Sequence, residues 1–150
     1  PHEPSRRQRQ MCIRDRLTKP QMETFITMRA LAASPLMMGG DLPSLNDFAL
    51  KLITNSDMLA CNQNGVMGSL IIEEPGLETW RVFQQDFDNK GWIGIFNRSF
   101  DKISFSLDAY RLGFVDETYT LYDVWNRKEL LYGLMIDLEP NGVLFIKFGD

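Results

Sequence analysis

The segment Ser34-Pro35-Leu36-Met37-Met38-Gly39-Gly40-Asp41-Leu42 lies between two stretches with helical periodicity. Its centre, Leu36-Met37-Met38, is short, apolar on both faces and followed by two glycines, which is typical of a buried parallel strand. The order helix, strand, helix is therefore predicted for residues 17–63. That order is one turn of a parallel α/β fold.

The helix before this strand is predicted from apolar residues that recur at three- and four-residue steps. They are Phe25, Met28 and Ala32, with Met22 and Leu31 beside them. Thr18 is the predicted N-cap, and Pro20 suits the first turn. Pro35 is predicted to end the helix, because proline lacks an N–H and restricts the residue before it.

The helix after the strand is predicted to open at Pro43-Ser44. Ser44 is the expected N-cap, with Asp47 three residues later in a spacing like that of a capping box. Its inner face is predicted to carry Leu45, Phe48, Ala49, Leu52 and Ile53.

Two runs within residues 17–63 carry a family resemblance. Residues 24–42 resemble the (W)-x-x-x-x-(S/A)-P-L-(M/I)-x-x-x-D-L segment of α-galactosidases and α-N-acetylgalactosaminidases, the melibiase-type retaining glycoside hydrolases. Residues 52–63 resemble that family's LL-x-(N/D)-x-(D/E)-(V/M)-(I/L)-A-(I/V)-N-Q segment. The resemblance is dense over residues 21–63 and weaker over residues 66–150. Arg29, where many relatives carry Trp, is a departure, and Gly39-Gly40 stand where relatives vary.

The resemblance implies a mixed fold in two parts. Residues 17–63 would be the last helix, strand and helix of a (β/α)8 barrel, and residues 64–150 a C-terminal antiparallel β-sandwich. It also implies hydrolysis of terminal α-linked galactose with retention and without a cofactor. Retention needs two carboxyl groups about 5–5.5 Å apart. The family's two catalytic aspartates follow barrel strands expected upstream of Leu17, so no catalytic residue is assigned here, and the chain alone is expected to be inactive.

The periodicity itself changes from helical to alternating at Asn64-Gly65, which is a turn signal. Short alternating segments separated by Gly, Pro, Asn and Asp then predict an antiparallel sandwich. The predicted strands are 69–73, 77–84, 92–97, 102–107, 119–125, 128–131, 134–138 and 143–148. The predicted inward set is Trp80, Val82, Ile93, Ile95, Ile103, Phe105, Leu121, Ile136, Leu144, Ile146 and Phe148.

The first residues are expected to be non-native. Residues 6–16 resemble the in-frame translation of a transposon-end sequencing adapter, and a basic disordered arm is the alternative. Residues 1–16 are therefore left out of the predicted fold. They hold five Arg and two acidic residues, so the remaining 11 basic and 18 acidic residues give residues 17–150 a net charge of −7. An acidic body argues against nucleic-acid binding, and no apolar run is long enough to span a membrane.

The side-chain inventory excludes several kinds of site. His2 is the only histidine and lies in the excluded segment, so no Ser-His-Asp arrangement or imidazole metal site is expected. Cys61 is the one cysteine left, which excludes an intrachain disulfide and a Cys-based zinc site, and it is predicted to be a small buried hydrophobe. No glycine-rich phosphate loop is present. Neither a metal nor a cofactor is therefore predicted.

Three groups of side chains remain as candidate sites. Asp41 follows the predicted barrel strand and is the candidate substrate-binding residue; the alternative is a loop carboxylate that stabilises the next helix. Asp86 and Asp88 faintly resemble a calcium loop, but a solvated hairpin loop is favoured because the glycine and closing glutamate are missing.

The three tryptophans, Trp80, Trp92 and Trp125, suit either a sugar-stacking platform or packing inside the fold, and packing is favoured. A platform would support the alternative function, a non-catalytic carbohydrate-binding or interaction module. A sister glycosidase with another α-sugar specificity is the third possibility.

Overall fold

Three helices precede eight strands in the part of the chain that the structure, a computed structural model, describes: residues 18–35 and 47–149. The helices are α1 (Lys19–Leu31), α2 (Asp47–Ile53) and α3 (Ser56–Gln63). The strands are β1 (Ser69–Glu74), β2 (Leu77–Phe83), β3 (Gly91–Asn97), β4 (Ile103–Ser106), β5 (Thr120–Asp123), β6 (Lys128–Leu130), β7 (Met135–Leu138) and β8 (Val143–Gly149), with a short 3-10 helix at Tyr110–Leu112. The predicted strands are confirmed, with ends that differ by at most two residues. The predicted strand at Leu36-Met37-Met38 lies outside the described residues.

The strands form two antiparallel sheets. The larger has the order β1-β2-β3-β8-β5-β6, and the smaller pairs β4 with β7. The two sheets enclose a core made of large apolar side chains from both. Its members include Ile93, Ile95, Phe105, Leu107, Leu112, Leu121, Leu138, Leu144, Ile146 and Phe148.

Helix α1 begins as predicted and ends for a different reason. Thr18 and Gln21 form a reciprocal capping box, with Thr18 N 3.0 Å from Gln21 Oε1, so the predicted N-cap is confirmed. At the other end, Ser34 N donates to Arg29 O at 3.0 Å and Ala33 N donates to Ala30 O at 3.1 Å. Ala33 has a φ of 52°. These bonds form a Schellman motif, which closes the helix at Leu31. The prediction that Pro35 ends the helix is therefore wrong.

The helix predicted after Ser44 is confirmed over Asp47–Ile53, but a break that was not predicted separates it from a further helix, which begins after Asn55. The side chain of Asn55 accepts a hydrogen bond from Met58 N at 3.0 Å and so caps α3. Its amide also donates to Val124 O at 3.2 Å. Asn55 thus lies between the two helices, caps the second one and bonds to the backbone just after β5. The predicted N-cap Ser44 lies outside the described residues.

The larger sheet is covered on its other face by the helices. All seven residues of β3 are buried. Trp92, Phe96 and Phe145 pack with α1 and α3 in a second cluster, which also contains Val82 and has Trp80 at its edge. Trp80 and Val82 therefore face the helices, and their predicted place inside the sandwich is wrong. The apolar run Trp92-Ile93-Gly94-Ile95-Phe96 lacks the alternation of a half-exposed strand because both of its faces are covered.

Candidate functional site

Of the predicted acidic sites, the structure describes Asp86 and Asp88 but not Asp41. Asp41, the candidate substrate-binding residue, lies outside the described residues, and its role stays a prediction. Asp86 and Asp88 are both exposed in the turn between β2 and β3, and Asp86 has a φ of 69°. Among the residues that the structure describes, no group of three His, Cys, Asp or Glu side chains could hold a metal ion.

The tryptophans and the cysteine pack inside the fold. Trp92 is only 3% exposed. Trp125 Nε1 donates to Thr27 Oγ1 at 2.8 Å, and Trp80 Nε1 donates to Glu78 Oε1 at 3.2 Å. The packing interpretation is confirmed, and with it the carbohydrate-binding alternative loses its platform. Cys61 is fully buried, as predicted, and burial raises the pKa of its thiol.

Helix α1 has a second apolar face that no described residue covers fully. The residues that predicted the helix, Phe25, Met28 and Ala32, form an exposed row that we call the outer stripe, with Phe25 41% and Met28 43% exposed. The face that packs on the sheet carries Ala30 and Leu31 instead. A helix that is apolar on two faces is typically buried on both. None of the helices in the described ranges is long and apolar enough to cross a membrane.

A cleft of about 400 Å³ lies between the N-terminal half of α1, the turn after β5 and strand β7. Glu23 and Asp123 bring two carboxyl groups to it. Asp123 is buried, and its oxygens accept from Asn126 N at 3.1 Å and Asn126 Nδ2 at 2.8 Å. Burial, and secondly the nearby Asp123, raises the pKa of Glu23 from 4.5 to about 7.

This cleft can hold a cationic group, because two carboxyl groups and the single cation Lys128 line its α1 and β5–β6 side. Sequence reasoning missed it. Glu23 and Asp123 come from distant elements, and neither belongs to a local motif that could have indicated the pair.

The comparisons with known proteins point to one group of enzymes. No family model matches the chain. α-Galactosidase 2 of Arabidopsis thaliana is 33% identical over 66 residues, which are 43% of this chain and 17% of that protein. The α-galactosidase of Cyamopsis tetragonoloba is 28% identical over 112 residues, 73% of this chain and 27% of that protein. The chain is homologous to α-galactosidases.

A comparison with solved structures extends the likeness over most of the chain. The GH27 β-L-arabinopyranosidase of Geobacillus stearothermophilus superposes with a TM-score of 0.78 at 26% identity, covering 90% of this chain and 31% of that enzyme. The predicted resemblance to melibiase-type glycoside hydrolases is thereby confirmed. The chain spans less than a third of the length of each of these three proteins.

Proposed function

We propose that this chain is the C-terminal part of an α-galactosidase-like retaining glycoside hydrolase. Residues 17–63 would be the end of a (β/α)8 barrel, and residues 64–150 a β-sandwich that braces it. The substrate would be a terminal α-linked galactose or a related sugar. The homology to α-galactosidases and the small share of each relative that the chain matches support this proposal.

The outer stripe is the observation that carries the bracing role. In a (β/α)8 barrel each helix buries one face on the barrel strands. Helix α1 already packs Leu31 and Ala30 on the sheet. The described residues leave its other apolar face, with Phe25 and Met28, partly exposed, and such strands would cover it. The same helix would then bind barrel and sandwich together.

The chain by itself would not hydrolyse glycosides. Retention needs a nucleophile and an acid/base about 5–5.5 Å apart, and the resemblance places both on strands upstream of Leu17. Asp41 would contact the sugar, since it follows a predicted strand that would end at the face where barrel enzymes keep their sites. A variant of the Geobacillus stearothermophilus enzyme has been solved with arabinose, which supports a sugar as ligand of the whole protein.

The first test is an assay of the chain alone with 4-nitrophenyl α-galactoside. We expect release of nitrophenol at the rate of a buffer blank. Turnover that follows protein concentration and survives further purification would contradict the proposal.

The second test is a chimera in which residues 18–149 replace the matching part of the Geobacillus stearothermophilus arabinopyranosidase. We expect a folded enzyme that cleaves its own nitrophenyl substrate. In that chimera Met28→Asp should lower the melting temperature and the activity. Phe100→Asp, at a loop side chain that is almost fully exposed, is the matched control and should change neither. Equal behaviour of the two variants would contradict the bracing role.

A further inference from the structure

One edge of strand β7 is unpaired among the described residues. Within residues 18–35 and 47–149 its only partner strand is β4, and β6 ends the larger sheet. Leu107 N donates to Leu134 O at 2.8 Å. Hydrogen-bonded and non-hydrogen-bonded pairs alternate along an antiparallel ladder, so the pair Phe105–Ile136 exchanges bonds. The main-chain groups of Met135 and Asp137 therefore point away from β4.

This unpaired edge lines the cleft beside Glu23. Residues 134–139 contribute to the cleft wall without a gap. One face of a strand would contribute only alternate residues, because successive side chains point to opposite faces. The unbroken run means that the backbone edge of β7 itself borders the cleft. Lys128 and Leu130 of β6 border it from the other sheet.

The cleft and its rim also have a definite charge and polarity. On its α1 and β5–β6 side the cleft carries the carboxyl groups of Glu23 and Asp123 with the cation Lys128. On the β7 side the carboxylate of Asp137 accepts from the Ser104 hydroxyl, and Glu139 pairs with Lys102 at 3.9 Å. Large apolar side chains are exposed in the loop from β6 to β7 and at the first residue of β7, with Leu131 72% and Met135 62% exposed. A ligand that matches this surface in charge and polarity is an extended peptide segment with a basic side chain between apolar ones.

We propose that the cleft binds an extended basic peptide of a partner protein, which adds a strand to the unpaired edge of β7 and places a Lys or Arg side chain beside Glu23 and Asp123. In such strand addition the main-chain hydrogen bonds supply affinity, and the side-chain pockets supply specificity. The cleft is built entirely from described residues, so this binding does not depend on the barrel proposed above.

The first experiment measures amide hydrogen exchange of the 150-residue chain by NMR, with the peptide acetyl-Thr-Val-Arg-Val-Thr-amide as probe. We expect saturating peptide to slow exchange at Met135 and Asp137 by about tenfold or more, since free edge amides become bonded. The amide of Ile136, already bonded to β4, should change little. Protection at other sites alone, or none at all, would overturn the proposal.

Matched peptides separate the two parts of the recognition. Replacing the central Arg by Glu should weaken binding, and N-methylation of the two Val residues should abolish it if their amides donate to β7. Equal affinity of the Arg and Glu peptides would rule out recognition by charge. Unchanged affinity both of the N-methylated peptide and of a second one, N-methylated at the Arg and the two Thr residues instead, would rule out strand addition.

Variants of the chain give the reciprocal test. Met135→Pro removes a free-edge N–H without removing a bond to β4, so binding should be lost, whereas Met135→Ala should keep it. Glu23→Gln should weaken binding about fivefold, the effect of one partly exposed ion pair. Wild-type affinity of a folded Met135→Pro protein would overturn the proposal. If that variant does not fold, the two N-methylated peptides decide the same point.

Discussion

Trp125 Nε1 donates a 2.8 Å hydrogen bond to Thr27 Oγ1 and so joins the turn after β5 to the middle of α1. The Thr27 hydroxyl in turn donates to Glu23 O at 2.6 Å, and Thr27 is completely buried. The Thr27 hydroxyl therefore accepts a hydrogen bond from Trp125 on the sheet side and donates its own proton to the backbone of α1. It is the polar contact at the centre of the interface between helix and sheet.

Replacing Thr27 by Val should destabilise the protein by about 1–3 kcal/mol, because Trp125 Nε1 would stay buried without an acceptor. Urea denaturation measures the loss. Thr54→Val is the matched control, since the Thr54 hydroxyl makes the same kind of bond, to Leu50 O at 2.6 Å, at an exposed position. It should change stability by less than about 0.5 kcal/mol. If both variants lose the same amount, the tryptophan contact contributes nothing.

Stability should depend on pH through Glu23. Its pKa is raised from 4.5 to about 7 in the folded protein, so between these values the native state binds more protons than the unfolded state. Stability from this group is therefore lost as pH rises from about 4.5 to 7. The charged groups nearby are Lys19 on the same helix, Asp123 on β5 and Lys128 on β6, with Asp137 and Glu139 across the cleft.

Glu23→Gln should remove this dependence. The variant should be more stable than wild type at pH 8 by about 1–2 kcal/mol, a value reduced from the full linkage effect because Glu23 is partly exposed to solvent. At pH 4 the two proteins should be equally stable, since Glu23 is then protonated in both states. Urea unfolding at pH 4, 6 and 8 gives the comparison. Parallel stability curves for the two proteins would show that the carboxyl group does not titrate as described.

Local patterns allowed the strands to be predicted but not their neighbours. The alternation of Ile103 and Phe105 and the turn at Pro140-Asn141 are readable within a few residues. The pairing of β3 with β8 is not, because it joins segments separated by most of the sandwich, and the sequence between them does not specify which edge they share. Trp80 was assigned to the wrong face of the sheet for the same reason. The alternation of apolar and polar residues shows which side chains share a face, but it does not show whether the other sheet or the helices cover that face.

Among the candidate sites too, features that depend on one residue could be predicted, and features that depend on distant residues could not. Burial of Cys61 could be predicted because it depends on the residue type alone. The cleft could not, because it needs Glu23 of a helix beside Asp123 of a strand. The break at Asn55 was also missed, since an asparagine within an apolar helical pattern differs from a cap only when its side chain bonds the backbone ahead of it.

Asn97 should be among the most sensitive positions of the sandwich. It is 1% exposed, and its amide donates to Leu138 O, Glu139 O and Asp101 O at 2.9–3.1 Å. Its Oδ1 accepts from Ser99 N at 2.9 Å and from the Ser99 hydroxyl at 2.8 Å. The residue thus fixes the loop after β3 and the turn before β8 together.

Asn97→Ala should therefore cost about 2–4 kcal/mol, because the buried Leu138 carbonyl and two partly buried carbonyls lose their donor. Asn97→Asp has the same shape but cannot donate, and should be destabilised to a similar degree at pH 7. Ser99→Ala, which keeps the Asn97 amide donors but removes the bonds of the Ser99 hydroxyl to Asn97 Oδ1 and to the Asp101 backbone, should cost about 0.5–1.5 kcal/mol. Thermal unfolding of the three variants tests the ranking. An Asn97→Asp protein as stable as wild type would mean that the donated bonds do not matter.

Gly94 of β3 leaves room for the side chain of Leu31 on α1. A Cβ at this position would lie 2.6 Å from Leu31 Cδ1 and 2.9 Å from the Phe96 ring. Gly94→Ala should destabilise the protein by about 1–3 kcal/mol, as overpacking does in cores. Adding Leu31→Ala should cost less in the Gly94→Ala background than in wild type, since the alanine methyl group fills part of the space. If the losses of stability from the two substitutions add up in urea denaturation, the alanine at position 94 does not clash with Leu31.

The Schellman motif at the end of α1 predicts opposite effects at two adjacent alanines. Ala33 has a φ of 52°, whereas Ala32 has a φ of −83°. A side chain in the left-handed region is strained, and glycine relieves that strain. Ala33→Gly should therefore stabilise the protein by about 0.5 kcal/mol after the added flexibility of the unfolded chain is subtracted, and Ala32→Gly should destabilise it by about 0.5–1 kcal/mol. Melting temperatures of both variants, measured side by side, test the sign. Destabilisation by both substitutions would mean that Ala33 does not adopt the left-handed conformation in solution.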